Sequence, residues 1–190
     1  MIDRIDEYKS RRNKRKLRRI IFALFFIGFA LVLSWFFESQ VTTTVIITTH
    51  TELQTDLESN SGLSDQGIDR AKSLANTLSL IDVVSGVDVI YATSHRATQE
   101  TAEPTSRLLD LPINIVEQNL VEDFIDNIRD SHSGKIILIV ADPENLINLV
   151  IELQGSKKIE PTSLDNNDQL FIVTAPWFGK VKTLQLTYGT

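Results

Sequence analysis

The chain has 190 residues, of which 19 are Lys or Arg, 25 are Asp or Glu, and none is Cys. The absence of Cys excludes disulfide scaffolds, Cys-ligated zinc or iron–sulfur sites and thiol catalysis. Hydrophobic residues make up 42% of the chain and charged residues 23%. These fractions are close to the globular average, which excludes both general disorder and a multi-span membrane protein. The length predicts one globular domain with additional segments.

The charges are divided sharply along the chain. Segment 1–19 holds nine basic and three acidic residues, a net charge of +6, whereas 20–37 has no charged residue. The remainder, 38–190, holds 10 basic and 22 acidic residues, a net charge of −12. Because phosphate binding requires clustered cations, an acidic body of this kind predicts that nucleic acid is not a partner.

The uncharged segment 20–37, IIFALFFIGFALVLSWFF, is long enough to cross a membrane. A helix of this length spans roughly 27 Å, which is close to the ~30 Å hydrocarbon core of a bilayer. Trp35, Phe36 and Phe37 at its far end suit the interfacial aromatic belt, and the positive-inside rule keeps segment 1–19 in the cytosol. The sequence therefore predicts a single-pass membrane protein whose C-terminal domain is non-cytoplasmic, in the periplasm if the source is a Gram-negative bacterium.

The same pattern of charge and hydropathy has two other interpretations. A cleaved signal peptide also joins a basic segment to an apolar core, but such a core usually has ~7–15 residues and precedes a small-x-small pattern, which the following SWFFESQ lacks. A nucleic-acid patch would also be basic. The position of the basic segment directly before the apolar span favours a role in topology and in contact with anionic lipids.

After a polar linker at 38–43, the chain alternates patterns typical of strands and helices. Thr44–Thr48 is a β-branched run, as expected for a strand buried on both faces. From Asp65 onward, apolar residues recur at helical spacing. Further strands are predicted at 87–92, 112–116, 135–141, 169–174 and 181–187, and further helices at 97–109, 120–129 and 143–153.

This alternation predicts an α/β fold in three layers, a mainly parallel sheet with helices on both faces, at 44–190. In open sheets of this type, ligands bind at the carboxyl ends of the strands. The residues that directly follow the strands are therefore the candidates for a functional site.

Several motifs, in the correct order from Thr44 to Gly189, resemble the histidine phosphatase (phosphoglycerate mutase-like) superfamily. VIITTHTE lies where the family has a strand and then Arg-His-Gly-Glu or Arg-His-Ala-Glu, and GLSDQGIDRAKSLANTL is similar to its Leu-Ser/Thr-x-x-Gly helix opening. VDVIYATSHRATQETAEP is similar to its strand and Arg-containing turn. GKIILIVADPENLINLVIELQG resembles its Gly-Lys, strand, Gly-His, helix segment, and DQLFIVTAPWFGKVKTLQLTYG the closing hairpin of a subgroup. The resemblance implies the family fold and a pocket for phosphoryl transfer.

In this family, a histidine after the first strand accepts the phosphoryl group, and two arginines and a second histidine supply positive charge. His50 matches the phosphoryl-accepting histidine. Thr49 stands where the preceding arginine belongs and offers one neutral hydroxyl instead of a planar fork of five donors. Asp142 stands at the position of the second histidine, with the opposite charge.

The position of the second arginine depends on the alignment. Counted without gaps it falls on Ala97, whereas treating Glu100 as an insertion would bring Arg96 into the pocket. His95 and Arg96 are also compatible with an exposed turn. The phosphate pocket implied by the resemblance consists of Thr49, Arg96, Ala97 and Asp142.

These replacements are large in energetic terms. Each lost charge-assisted contact to phosphate forfeits about 1.5–3 kcal/mol, and a carboxylate about 4 Å from a phosphate charge repels it by roughly 4 kcal/mol at an effective dielectric constant of 20. The total exceeds about 5 kcal/mol, more than a thousandfold in binding or rate. Protonation of Asp142, or its pairing with Arg96, would reduce this penalty without removing it. We therefore expect a domain that keeps the fold and has lost, wholly or largely, its phosphatase chemistry.

Other polar residues are weaker candidates. Glu117, Glu122 and Asp123 stand at suitable distances after the arginine motif for a general acid, but each also fits a surface charge. His50, Glu52 and Asp142 are of the types that bind zinc or manganese. Since nothing in the sequence fixes their geometry, neither a metal nor a cofactor is predicted. His132, in the polar SHSGK turn, is interpreted as a loop residue.

Three functional hypotheses follow. The first is a membrane-anchored protein with a catalytically impaired or inactive histidine-phosphatase-like domain that binds a phosphorylated small molecule or a protein partner. The second is a divergent phosphomonoesterase that uses His50 and Arg96, with Asp142 as proton donor. The third is a structural subunit of an envelope complex, held through its basic segment or its membrane helix.

Overall fold

The computed structural model describes residues 2–38, 42–55, 60–80, 86–117, 121–154, 168–176 and 179–188. The chain forms two compact units, Met1–Gln40 and Val41–Thr190. In the first, a single helix, α1, covers Ile2–Glu38. Its Lys14–Phe37 part has a mean hydropathy of 2.6 and is long and apolar enough to cross a membrane, as an anchor or a signal sequence. In the predicted linker, residues 39–41 lie outside the described residues.

The second unit contains all the remaining elements. Its strands are β1 (Thr42–Thr49), β2 (Val89–Thr93), β3 (Ile113–Val116), β4 (Ile136–Ala141), β5 (Gln169–Pro176) and β6 (Lys182–Thr187). Its helices are α2 (Asp65–Leu80), α3 (Arg96–Leu109), α4 (Val121–Ser131) and α5 (Pro143–Gln154). Every predicted strand and helix of the domain is present, with ends that differ by up to two residues; Leu120, the predicted start of α4, lies outside the described residues.

The six strands form one sheet in the order β3-β2-β4-β1-β5-β6. The strand pairs β1–β4, β4–β2 and β2–β3 are parallel, whereas β5 runs antiparallel to β1 and β6 antiparallel to β5. The predicted mainly parallel α/β sheet is confirmed. Its consequence is that the carboxyl ends of β1, β2, β3 and β4 lie at the same edge of the sheet.

Apolar side chains fill the space on both faces of the sheet. In β1, Val45 and Ile47 contact one cluster, which includes Ile125 of α4 and Leu146 of α5. Ile46 contacts the opposite cluster, which includes residues of α2 and α3. Because successive side chains of a strand point to opposite faces, a strand buried on both faces must be continuously apolar or β-branched. This explains the run in β1 and confirms the three layers.

The SHSGK turn is packed against the sheet. The Tyr91 hydroxyl lies 2.7 Å from Nε2 of His132, and the Thr43 hydroxyl accepts a hydrogen bond from the backbone N–H of Gly134 at 3.1 Å. Burial and the nearby Lys135 lower the pKa of His132 below its ordinary value, and burial raises the pKa of Tyr91. The half-buried His132 therefore has a structural partner that its position in a polar turn did not indicate.

The lowered pKa of His132 predicts an acid-dependent loss of stability. Since the unfolded state binds the proton more readily, the free energy of unfolding falls as the pH drops through the ordinary histidine pKa of about 6.5. In His132→Gln, the side-chain carbonyl can still accept the Tyr91 hydroxyl but does not titrate. We expect urea unfolding of the full chain in detergent to show a smaller stability difference between pH 7 and pH 5 for the variant. An equal stability difference between pH 7 and pH 5 in the two proteins would contradict a lowered pKa of His132.

Candidate functional site

The carboxyl edge of the sheet brings together residues from distant parts of the sequence. Thr49 and Ala141 are register partners at the ends of the neighbouring strands β1 and β4. His50 and Asp142, the next residues along each strand, therefore emerge side by side. His95 follows β2, the strand on the other side of β4, and is the N-cap residue of α3.

His50 is half-buried, and its ring is oriented by its own neighbour in the chain. Its Nδ1 lies 2.9 Å from the carbonyl oxygen of Thr51. A carbonyl oxygen only accepts hydrogen bonds, so Nδ1 carries the proton in this bond. In the neutral ring, Nε2 then holds a free lone pair, which is the tautomer that a nitrogen nucleophile requires.

The loop that carries His50 is clamped between α2 and α3. The backbone N–H of the buried Thr51 donates to the Thr101 hydroxyl at 3.1 Å, and the Thr51 hydroxyl donates to the Gly67 carbonyl at 2.8 Å. A Cβ atom at Gly67 would lie 2.2 Å from the carbonyl oxygen of Glu52, so only glycine permits this approach. These contacts explain Gly67 in the GLSDQG motif and Thr101 on α3 as residues that hold the loop.

Small neutral side chains occupy the two positions, Thr49 and Ala97, that the resemblance aligns without gaps with the arginines of the family. Thr49 is 5% exposed, and Ala97 is 4% exposed in a small apolar cluster with Leu63 and Ala71. A hydroxyl and a methyl group carry no net charge. Neither position therefore supplies the positive charge that a phosphate group would need.

The Asp142 carboxylate is paired with His95. Its Oδ1 lies 2.6 Å from Nδ1 of His95, and the two side chains are 8% and 46% exposed. The Asp142 carbonyl also accepts the backbone N–H groups of Asn145 and Leu146 at the start of α5. The sequence predicts Asp142 at this edge and offers Arg96 as the residue that would offset its charge. The partner is His95, one residue earlier and 47 positions from Asp142.

Arg96 faces a different part of the domain. Its Nε donates to Glu100 at 2.6 Å, its backbone N–H donates to the Asn60 side chain at 2.8 Å, and its side chain is 61% exposed. With Lys72 and Leu108 it lines an open groove of about 600 Å³ between α2 and α3. Glu100, which the alternative alignment treats as an insertion, lies within helix α3.

The proposed general acids lie at the end of β3 and on α4. Glu117 follows β3, is exposed, and lines a small, mostly apolar cavity of about 30 Å³ beside Tyr91 and Phe124. Asp123 is exposed on α4, and the side chain of Glu122 lies outside the described part of the chain. Among the described residues, no group of three or more His, Asp or Glu side chains is arranged to hold a metal ion; Glu52 binds Arg70 at 2.6 Å.

Comparison with known proteins identifies the fold. No protein-family model and no curated protein matches this sequence, but solved structures do. The protein histidine phosphatase SixA complexed with tungstate is 18% identical, with a TM-score of 0.61, over 76% of this chain and 96% of that one. A putative alpha-ribazole-5'-P phosphatase from Escherichia coli is 15% identical, with a TM-score of 0.57, over 78% and 96%.

A third similar structure is the mycobacterial glucosyl-3-phosphoglycerate phosphatase, which is 9% identical with a TM-score of 0.56, over 77% of this chain and 98% of that one. Each match covers nearly the whole of the other protein. The domain therefore has the fold of the histidine phosphatase superfamily, and the resemblance that the motifs indicated is confirmed at the level of the fold.

The pairing of His95 with Asp142 is testable by a double-mutant cycle. His95→Ala removes a hydrogen-bond partner from a buried carboxylate, which is expected to lower the free energy of unfolding by about 1–3 kcal/mol. In the Asp142→Asn variant, His95→Ala should lower the free energy of unfolding by a smaller amount. The effects of the two substitutions on the free energy of unfolding should therefore be non-additive. The measurement is urea unfolding of the full chain in detergent.

As a control, Arg107→Ala breaks the exposed ion pair with Glu103 on the same helix and should lower the free energy of unfolding by less than about 1 kcal/mol. Additive changes would contradict the pairing.

Proposed function

We propose that this protein is a membrane-anchored, histidine-phosphatase-like binding or accessory protein that does not turn over phosphoesters. The observation that carries the proposal is the charge of the pocket. Thr49 carries only a hydroxyl and Asp142 a carboxylate where the family resemblance implies an arginine and a histidine. The second arginine falls on the buried methyl group of Ala97 when the sequence is aligned without gaps.

Electrostatics explains why this pocket is unsuited to phosphoryl transfer. The transferred group spreads negative charge over three equatorial oxygens, and catalysis depends on positive groups that are already in place. Here the negative charge of Asp142 lies at the strand end next to His50, and Arg96, the second arginine in the alternative alignment, is hydrogen-bonded to Glu100. Even a protonated His95 would only balance Asp142, which leaves no surplus positive charge from this pair.

The proposed partners follow from charge and location. The apolar part of α1 would hold the chain in a membrane, with the basic segment 1–19 in the cytosol and the acidic domain on the other side, the periplasm in a Gram-negative bacterium. There the domain would bind a phosphorylated small molecule or another envelope protein. The net charge of −12 of segment 38–190 disfavours nucleic acid.

A divergent phosphomonoesterase is the second candidate, and one observation favours it. The hydrogen bond from Nδ1 of His50 to the Thr51 carbonyl holds the ring in the tautomer with a free lone pair on Nε2. His50 would then accept the phosphoryl group, and Asp142, whose carboxyl group emerges beside it, would deliver a proton to the leaving oxygen.

Hydrolysis of an aryl phosphate separates the two candidates. We expect the full chain in detergent to give, from pH 4 to 8, the same background rate as its His50→Ala variant. Time-dependent phosphate release that is lost in His50→Ala would refute the proposal that the protein is inactive and would support the divergent phosphatase. Asp142→His serves as a charge control, because it replaces a repelling group by an attracting one and should raise tungstate affinity by about tenfold or more.

Membrane retention tests the anchor. We expect the intact, uncleaved chain to stay in the membrane fraction after extraction with alkaline carbonate, and the C-terminal domain to be digested only by protease added on the non-cytoplasmic side. Replacing two apolar residues of the span, Phe25→Asp and Leu31→Asp, should release the protein, since each charge in the bilayer costs about 2.5–3.5 kcal/mol. Loss of the first ~40 residues in the mature protein would instead indicate a cleaved signal sequence.

A further inference from the structure

The outer strand β6 exposes apolar side chains at an edge of the sheet. In the described part of the chain, β6 pairs only with β5 and is the last strand of the sheet. Leu184 is 55% exposed and Leu186 is 40% exposed, and both lie on the same face of the strand. The opposite edge is different, because β3 has only four residues and directly follows Pro112. Short strands and prolines protect an edge from pairing with other chains; β6 has neither.

The ladder between β5 and β6 determines which backbone groups of β6 point outward. The N–H of Tyr188 donates to the carbonyl of its opposite residue, Asp168, at 2.9 Å. In an antiparallel ladder, hydrogen-bonded residues alternate along the strand. Residues 182, 184 and 186 therefore bond to β5, and the N–H and C=O groups of Thr183, Gln185 and Thr187 face away from the sheet.

The sequence of β6 is self-complementary around its centre. Residues 183–187 read TLQLT, which is the same in both directions. A two-fold axis through Gln185 would place Thr183 opposite Thr187 of a second copy, and Leu184 opposite Leu186. The outward groups would then meet in hydrogen-bonded pairs, and the exposed leucines would cover each other. Lys182 would face Tyr188 of the second copy, so no two like charges would lie opposite each other.

We propose that β6 is a homodimerisation edge, at which two copies of this chain join antiparallel through residues 183–187 into one continuous sheet. A two-fold contact requires a patch that is complementary to itself. Three features of β6 meet this requirement: the palindrome TLQLT, the backbone N–H and C=O groups that point away from the sheet, and the two exposed leucines. The contact is small, so the dimer is favoured when the chains are concentrated together in one bilayer or micelle.

Cross-linking tests both the dimer and its register, because the chain contains no natural cysteine. In Gln185→Cys, the two introduced residues would face each other across the axis with Cα atoms about 5.5 Å apart, within the ~4.4–6.8 Å range of disulfides. We expect the full chain in detergent to form a disulfide dimer under mild oxidation, at least about tenfold faster than Thr183→Cys, whose two copies would lie about 14 Å apart along the strands. A mixture of Thr183→Cys with Thr187→Cys, one of them carrying a mass tag, should form the mixed dimer.

The register distinguishes this contact from association through α1 or from aggregation. Equal cross-linking of Gln185→Cys and Thr183→Cys would overturn the proposal, as would a Gln185→Cys protein that stays monomeric or that links only to another protein. As a second variant, Leu184→Glu with Leu186→Glu places acids opposite acids at exposed positions. This pair should abolish the mixed cross-link while leaving the circular dichroism spectrum unchanged; a persisting cross-link would also refute the β6 contact.

Discussion

The parallel pairing of β4 with β1 on one side and β2 on the other is the constraint on which the candidate site depends. Parallel strands end at the same edge, so this pairing brings His50, His95 and Asp142 together from three distant parts of the sequence. The pairing is maintained by apolar clusters on both faces, since a strand buried on two sides cannot leave the sheet without exposing both. The chemistry of the edge is thus set by whichever side chains follow these strands.

Those side chains determine both the geometry and the charge of the candidate site. The loop that carries His50 is fixed through Thr51, Thr101 and Gly67, and the ring holds the tautomer of a nucleophile. The carboxylate of Asp142 lies at the same edge of the sheet. The hydrogen bonds that fix the loop are made by neutral groups, so they do not depend on the charge at this edge.

Most of the fold was predictable from the sequence because its signals are local. The continuous β-branched run of β1 indicates a strand buried on both faces, and the apolar spacing of α2 indicates a helix with one buried face through its period of 3.6 residues. The ends of the strands and helices follow less directly from the sequence. β2 begins at Val89, two residues after the start of its apolar pattern. The preceding residue, Asp88, binds the start of β4, because its side chain accepts a hydrogen bond from the Ile136 N–H at 2.7 Å.

The candidate site was only partly predictable. The positions of His50 and Asp142 after β1 and β4 follow from the strand pattern and the family resemblance. The choice between His95 and Arg96 does not, because two neighbouring residues at a strand-to-helix turn point in different directions and the docking of α3 decides which one meets Asp142. Arg96, as the first residue of α3, instead reaches Glu100 one turn later along the helix surface.

The sequence by itself determined the charge division, the apolar span, the absence of thiol chemistry and the order of strands and helices, since each is a property of composition or of local period. Only the tertiary structure decided the pairing of His95 with Asp142, the partner of His132 and the exposure of Leu184 and Leu186. These depend on contacts between residues far apart in the chain, such as the 47 positions between His95 and Asp142. The direction of a side chain is fixed only when the elements that carry it have packed.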